Sequence, residues 1–156
     1  MTREELVAYI GSHFEGKLTE METGKFDPWF EVKAEDLVEV CQKLHDDENL
    51  KFDFLCDLAG NDTRERFEVS YKLVSLTLKH RLDLRVALDY EGAEIESVQH
   101  IWAGANWHER EVWELYGINI KNHDNLTRFL LHDEWDEGFP MRKDWDGKDF
   151  VRLPEI

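Results

Sequence analysis

Three stretches in the middle of the chain, "FDFLCDLAG", "RFEVSYKLVSLT" and "RLDLRVALD", alternate apolar and polar residues or run continuously apolar over strand-like lengths. Side chains of a strand point alternately to its two faces, so this period cannot bury one clean face of a helix. The separating segments, "NDTRE" and a short link ending in "KH", suit tight connections. Three sequential strands in an antiparallel meander are expected, and the other elements must cover their apolar face.

The flanking segments supply that cover. Leu6, Val7, Ile10 and Phe14 recur at helical spacing and Gly16 stands ready to end the run, which predicts a first helix over residues 3–14. Residues 17–33 place Leu18, Met21, Phe26, Trp29, Phe30 and Val32 around Gly24 and Pro28, as two short strands with a turn would. "EDLVEVCQKLHD" returns to helical period through Leu37, Val40, Cys41 and Leu44, and "SVQHIWAGANWHEREVWELYG", residues 97–117, reads as a third helix. This order, in which helices and strands do not alternate one for one, predicts a two-layer α+β fold. Its mixed or antiparallel sheet of about five strands carries helices on one face. Residues 1–117 are read as the α+β domain and residues 118–156 as an extended C-terminal docking segment with little periodicity.

Charge narrows the function classes. A formal net charge of -16 repels phosphate, so a nucleic-acid partner is not expected. Cys41 and Cys56 stand alone and read as core thiols rather than as half of a metal site. No signal-like core opens the chain and no run reaches the ~18 apolar residues a membrane span requires, so membrane contact is expected only through a partner.

The third helix carries the densest chemistry. "HEREV" falls short of the zinc motif H-E-x-x-H because residue 112 is Val, and His108 has no partner four residues on. At 100° per residue Ala105, Glu109, Val112, Trp113 and Tyr116 share one face, with Arg110, Glu111 and Glu114 opposite. Glu109 thus falls inside an apolar stripe. Either Asn106 caps the helix and Glu109 serves its first turn, or an arginine of the tail pairs with it. Arg110 and Glu114 are spaced as an ordinary surface pair, and Gly117 is placed to end the helix in a left-handed conformation. Of five tryptophans, Trp102, Trp107, Trp113, Trp135 and Trp145, most are expected to fill the core, but all five exceed what one small core holds, and the remainder suit interface anchors.

The run from Glu109 to Trp145, "EREVWELYGINIKNHDNLTRFLLHDEWDEGFPMRKDW", closely resembles the signature of the C-subunit family of respiratory complex I, the NADH:quinone oxidoreductase. The matching residues are an initial Glu109-Arg110-Glu111, then Glu114 through Gly117, then His123 and Arg128, and finally the run from Gly138 to Asp144. The signature spans about a quarter of the chain. Asp124 departs from it, since family members typically carry Pro after this histidine.

The resemblance implies a non-catalytic, structural subunit with no redox cofactor of its own. It would lie in the peripheral arm on the cytoplasmic side of the membrane, beside the larger, hydrogenase-like subunit that helps form the quinone site. NADH, FMN, iron-sulfur clusters and quinone are then implied for the complex. The same family serves membrane-bound energy-converting [NiFe] hydrogenases and related ferredoxin-linked complexes, which is the alternative. A free-standing acidic interaction module is an alternative of another class. On the docking reading Trp113, Trp135 and Trp145 supply contact area, Glu109, Arg110, Glu111 and Asp144 help set register, and Arg142 and Lys143 beside Pro140 make charge-assisted hydrogen bonds. His123 and Arg128 either fasten the tail internally or meet the partner.

Overall fold

The computed structural model describes residues 1–22, 27–148 and 151. Gly24 and Phe26 of the first turn, and residues 149, 150 and 152–156 of the tail, lie outside the described residues. Helix α1, Arg3–His13, starts at a capping box in which the Thr2 hydroxyl accepts from the Glu5 N–H and the Glu5 carboxylate accepts from the Thr2 N–H. Strands β1, Leu18–Met21, and β2, Trp29–Val32, form an antiparallel pair. One 3-10 turn leads into α2, Leu37–Asp46. The meander follows as β3, Phe54–Asp62, β4, Phe67–Val74, and β5, Arg81–Leu88.

The sheet order is β1-β2-β5-β4-β3, with β2 and β5 parallel and every other pair antiparallel. The mixed five-stranded sheet expected from the sequence is thus present. Across β4 and β5 the register sets Phe67 opposite Leu88, Val69 opposite Val86, Tyr71 opposite Leu84 and Leu73 opposite Leu82. All eight are buried, in one core with Leu6 and Ile10 of α1, Val40 and Leu44 of α2, and Val112 of the third helix. The opposite sheet face carries a charged network, where the Glu68 carboxylate meets Arg66 at 3.0 Å and Arg85 at 3.1 Å.

Two expectations change. The third helix, α3, spans only Ala105–Tyr116. Residues 97–104 form turns because two short strands, β6, Glu94–Glu96, and β7, Asn119–Lys121, pair in parallel beside them and draw the chain across. Cys41 is a core thiol, but Cys56 is exposed. The register shift between Leu55 and Asp57 inserts an extra residue there, so that Leu55 and Leu58 both face the core and Cys56 is turned out.

Candidate functional site

Helix α3 lies against β3 along a face that includes Ala105, Val112 and Tyr116, all buried. The Tyr116 ring comes so close to the strand that a Cβ on Gly60 would sit 2.8 Å from it, so only glycine permits this approach. Glu109 is on the same face at 1% exposure. Its carboxylate accepts from the Ser97 hydroxyl at 2.6 Å and the Val98 N–H at 2.7 Å, with His123 Nε2 at 3.7 Å. Neither expected partner is used. Asn106 lies inside the helix and donates to Gln99 at 2.6 Å, while the cap residue, Gly104, offers no side chain. Arg142 and Arg128 donate to the carbonyls of Tyr116 and Trp135 instead. Burial pushes the Glu109 carboxyl up to about 7, against the opposing pull of the Ser97 and Val98 hydrogen bonds.

The face read as solvent-exposed is covered as well, because the C-terminal segment folds back across it. Arg110 is 7% exposed and Glu114 is 3% exposed. They do not form the expected surface pair. Arg110 Nε donates to the Thr127 carbonyl at 2.8 Å, and the guanidinium lies between the Trp107 and Phe129 rings at 4.8 and 4.7 Å. Glu114 accepts the successive N–H groups of Phe129, Leu130 and Leu131, the last at 2.7 Å. Three amides aimed at one carboxylate make a compact anion nest. Glu111, between them, is exposed.

Beyond residue 131 the segment is fastened to itself and to the end of α3. Gly117 takes the left-handed conformation, φ 73°, that stops the helix. The Leu115 carbonyl then accepts from the Met141 N–H at 3.1 Å and the Tyr116 carbonyl from Arg142 Nε at 2.6 Å. A cation at a helix C-terminus also suits the helix dipole. The Arg142 guanidinium lies 5.0 Å from the Phe67 ring and 4.4 Å from that of Phe139. Arg128 donates to the Trp135 carbonyl at 2.8 Å, Trp135 to the Gly138 carbonyl at 2.7 Å and Trp145 to the Glu137 carbonyl at 2.6 Å, and the two indoles stack. His123 Nδ1 accepts from the Asn125 N–H at 3.1 Å while Nε2 faces the Asn106 carbonyl at 3.2 Å, an arrangement that suits the Nε2–H tautomer. Pro140 is half-buried, and Lys143 and Asp144 are exposed.

This clamp leaves large apolar side chains in solvent. Trp107 is 58% exposed, Leu130 52%, Met141 49%, and Phe129 and Phe139 37% each. Trp107 stands edge-on to Phe129 with ring centroids 5.2 Å apart. Trp113 is half-buried against the core, and Trp135 and Trp145 are half-buried against each other. Sequence reasoning counted Trp107 among the candidate interface anchors but did not select Phe129 or Leu130, whose signal would have been two charged neighbours, Arg110 and Glu114, that need buried partners. Among the described residues no group of three or more His, Cys, Asp or Glu is placed to hold a metal ion, and no helix is long and apolar enough to cross a membrane.

Fold and site together define a two-layer α+β domain that presents an exposed aromatic surface through its own clamped C-terminal segment. The chain belongs to the family described as the 30 kDa subunit of respiratory-chain NADH dehydrogenase, whose model matches residues 30–151. It is 41% identical over 116 residues to the C subunit of NADH-quinone oxidoreductase from Roseiflexus sp. (strain RS-1), covering 72% of this chain and 66% of that one. It is 39% identical over 143 residues to the C 2 subunit from Rhizobium meliloti (strain 1021), covering 90% and 77%. It is also 34% identical over 158 residues to the C/D subunit from Psychrobacter sp. (strain PRwf-1), covering 95% of this chain but 26% of that protein. Among solved structures, a trypsin-resistant fragment (1-134) of Nqo5 matches with TM-score 0.66 and 29% identity, covering 80% of this chain and all (100%) of the fragment. A chain of an archaeal membrane-bound sulfane sulfur reductase shares the fold at TM-score 0.77 and 20% identity, covering 92% and 85%.

Proposed function

We propose that this chain is a non-catalytic, structural subunit in the peripheral arm of a proton-translocating NADH:quinone oxidoreductase, on the cytoplasmic side of the membrane. It docks there on the larger subunit that helps form the quinone site. NADH, FMN, iron-sulfur clusters and quinone belong to other subunits of that complex. The observation that carries the reading is the exposed cluster of Trp107, Phe129 and Leu130, held in place by the buried Arg110 and Glu114. Exposed apolar patches on residues held this firmly mark interaction surfaces. The Psychrobacter C/D protein supports a D-type partner, since this chain corresponds to 26% of it and the remainder is large enough to be that partner. Residues 118–156 then serve as the docking segment, with Trp107, Phe129 and Leu130 as anchors and with Glu109, His123 and Arg128 fastening the segment from within.

The test is recovery of the tagged chain from its native membranes in mild detergent, with mass spectrometry of the accompanying proteins. A larger subunit lacking nickel-ligand cysteines, together with iron-sulfur and NADH-oxidising chains, is the expected result. A partner that keeps those cysteines would move the protein to an energy-converting hydrogenase. Recovery of the chain alone would leave it a free-standing acidic module.

A further inference from the structure

Arg64, Arg142 and Lys143 converge on one open cleft of about 630 Å³, lined also by Tyr90 and Asp144. One buried carboxylate assembles it. Asp62, at the end of β3 and 3% exposed, accepts the Arg64 N–H at 2.8 Å, the Lys143 N–H at 2.8 Å and the Tyr90 hydroxyl. Its carboxyl is subject to an upward push from burial, but these three donors outweigh it and hold the group below the usual range. With Asp62 engaged by the frame, the acidic side chain left to line the cleft is Asp144, against three cations.

Two of the cations also lack a close ion-pair partner. Among the described residues neither Arg64 nor Lys143 has a carboxylate oxygen within 4.0 Å of its charged nitrogens, whereas Lys17, Arg66, Arg85 and Lys121 are all so paired. Arg142 is fixed by the Tyr116 carbonyl and by the Phe67 and Phe139 rings, and its guanidinium borders the cleft. Phe139 and Met141, both exposed, precede Arg142 in the chain.

We infer that this cleft receives a carboxylate from an acidic segment of the partner subunit, an inference that rests on the assembly reading above. A guanidinium presents a planar fork that matches a carboxylate, and two further cations at the same spot favour one negative charge held among them. A net charge of -16 works against capture of a freely diffusing anion, and Asp144 opposes a dianion more than a monoanion. A carboxylate carried by a partner already seated on the aromatic cluster arrives at a high effective concentration and escapes that limit.

The experiment compares the tagged full-length chain, its R64E/K143E variant and a K79E control in the same membrane recovery. Lys79 lies in the β4–β5 turn, at the other end of β4 from Arg64 and so about 25 Å away. The expected result is partner recovery unchanged for K79E and reduced about tenfold or more for R64E/K143E, with melting temperature preserved. In the wild-type complex, carbodiimide coupling should join the Lys143 amine to an Asp or Glu of the partner, identified by mass spectrometry. Equal recovery from all three proteins, with no such cross-link, would overturn the cleft assignment and leave the assembly reading intact. Recovery of no partner by any of them would overturn both. Saturable binding of inorganic phosphate to the isolated chain, abolished in R64E/K143E, would assign the cleft to a free anion and overturn the partner segment. Should R64E/K143E fold poorly, the neutral R64Q/K143Q pair carries the same comparison.

Discussion

The carboxylate of Glu114, in the last turn of α3, accepts the backbone N–H of Leu131 at 2.7 Å, and the N–H groups of Phe129 and Leu130 point at the same two oxygens. One helix side chain thereby sets the path of the segment that displays Phe129 and Leu130. Removing it leaves three amides without an acceptor, which nearby solvent satisfies only if the segment lifts. Glu114→Ala is expected to lower stability by about 1–3 kcal/mol and to raise amide exchange across residues 127–131. Urea unfolding and hydrogen-exchange mass spectrometry check this. Unchanged exchange in that segment would show that Glu114 does not hold it.

Glu109 predicts a pH dependence with a definite sign. Its folded-state carboxyl is raised from 4.5 to about 7 by burial, so between those values the folded chain binds more protons than the unfolded one. The contribution is fully present below about pH 4.5 and is lost as pH rises through about 7, amounting to about 3 kcal/mol of stability. The wild-type protein should therefore lose stability relative to Glu109→Gln across that window, because glutamine has no proton to release. Urea unfolding of both proteins from pH 4.5 to 8 is the measurement, and parallel curves would contradict the assignment.

Gly117 is required twice, by its φ of 73° and by the 2.5 Å that would separate an added Cβ from the Phe139 ring. Gly117→Ala should cost about 1–2 kcal/mol for the backbone conformation, and more for displacing Phe139 and Arg142. Thermal melting reads the loss, and limited proteolysis should show residues 139–145 cut sooner. Wild-type melting and cleavage would show that the Phe139 contact is readily surrendered.

Trp107 separates docking from folding. At 58% exposure it contributes little to the core, so Trp107→Ala is expected to change stability by less than about 1 kcal/mol while reducing partner recovery about tenfold or more. Full recovery of the partner would remove Trp107 from the interface.

Much of this architecture follows from local pattern. Alternation through Phe67, Val69, Tyr71 and Leu73, and again through Leu82, Leu84 and Val86, specifies strands with one buried face. The stop at Gly117 is equally local, since a left-handed residue after an amphipathic helix is a matter of backbone sterics. These are properties of neighbours in the chain.

The placements of Arg110, Glu114 and Glu109 are not. Helical periodicity tells which residues face the sheet, but it is silent on whether a distant segment will cover the other face. Arg110 and Glu114 therefore read as a surface pair until residues 127–131 are seen lying across them. Glu109 likewise needed hydrogen-bond donors, and it found the Ser97 hydroxyl and the Val98 N–H in a turn that had read as helix. The parallel pairing of β2 with β5 and the outward turn of Cys56 belong with these. Residue order is enough to mark where apolar periodicity changes and where one element gives way to the next. Which buried charge meets which backbone amide was settled by folding in three dimensions, because main-chain donors are the same at every residue and carry no signature until distant segments come together.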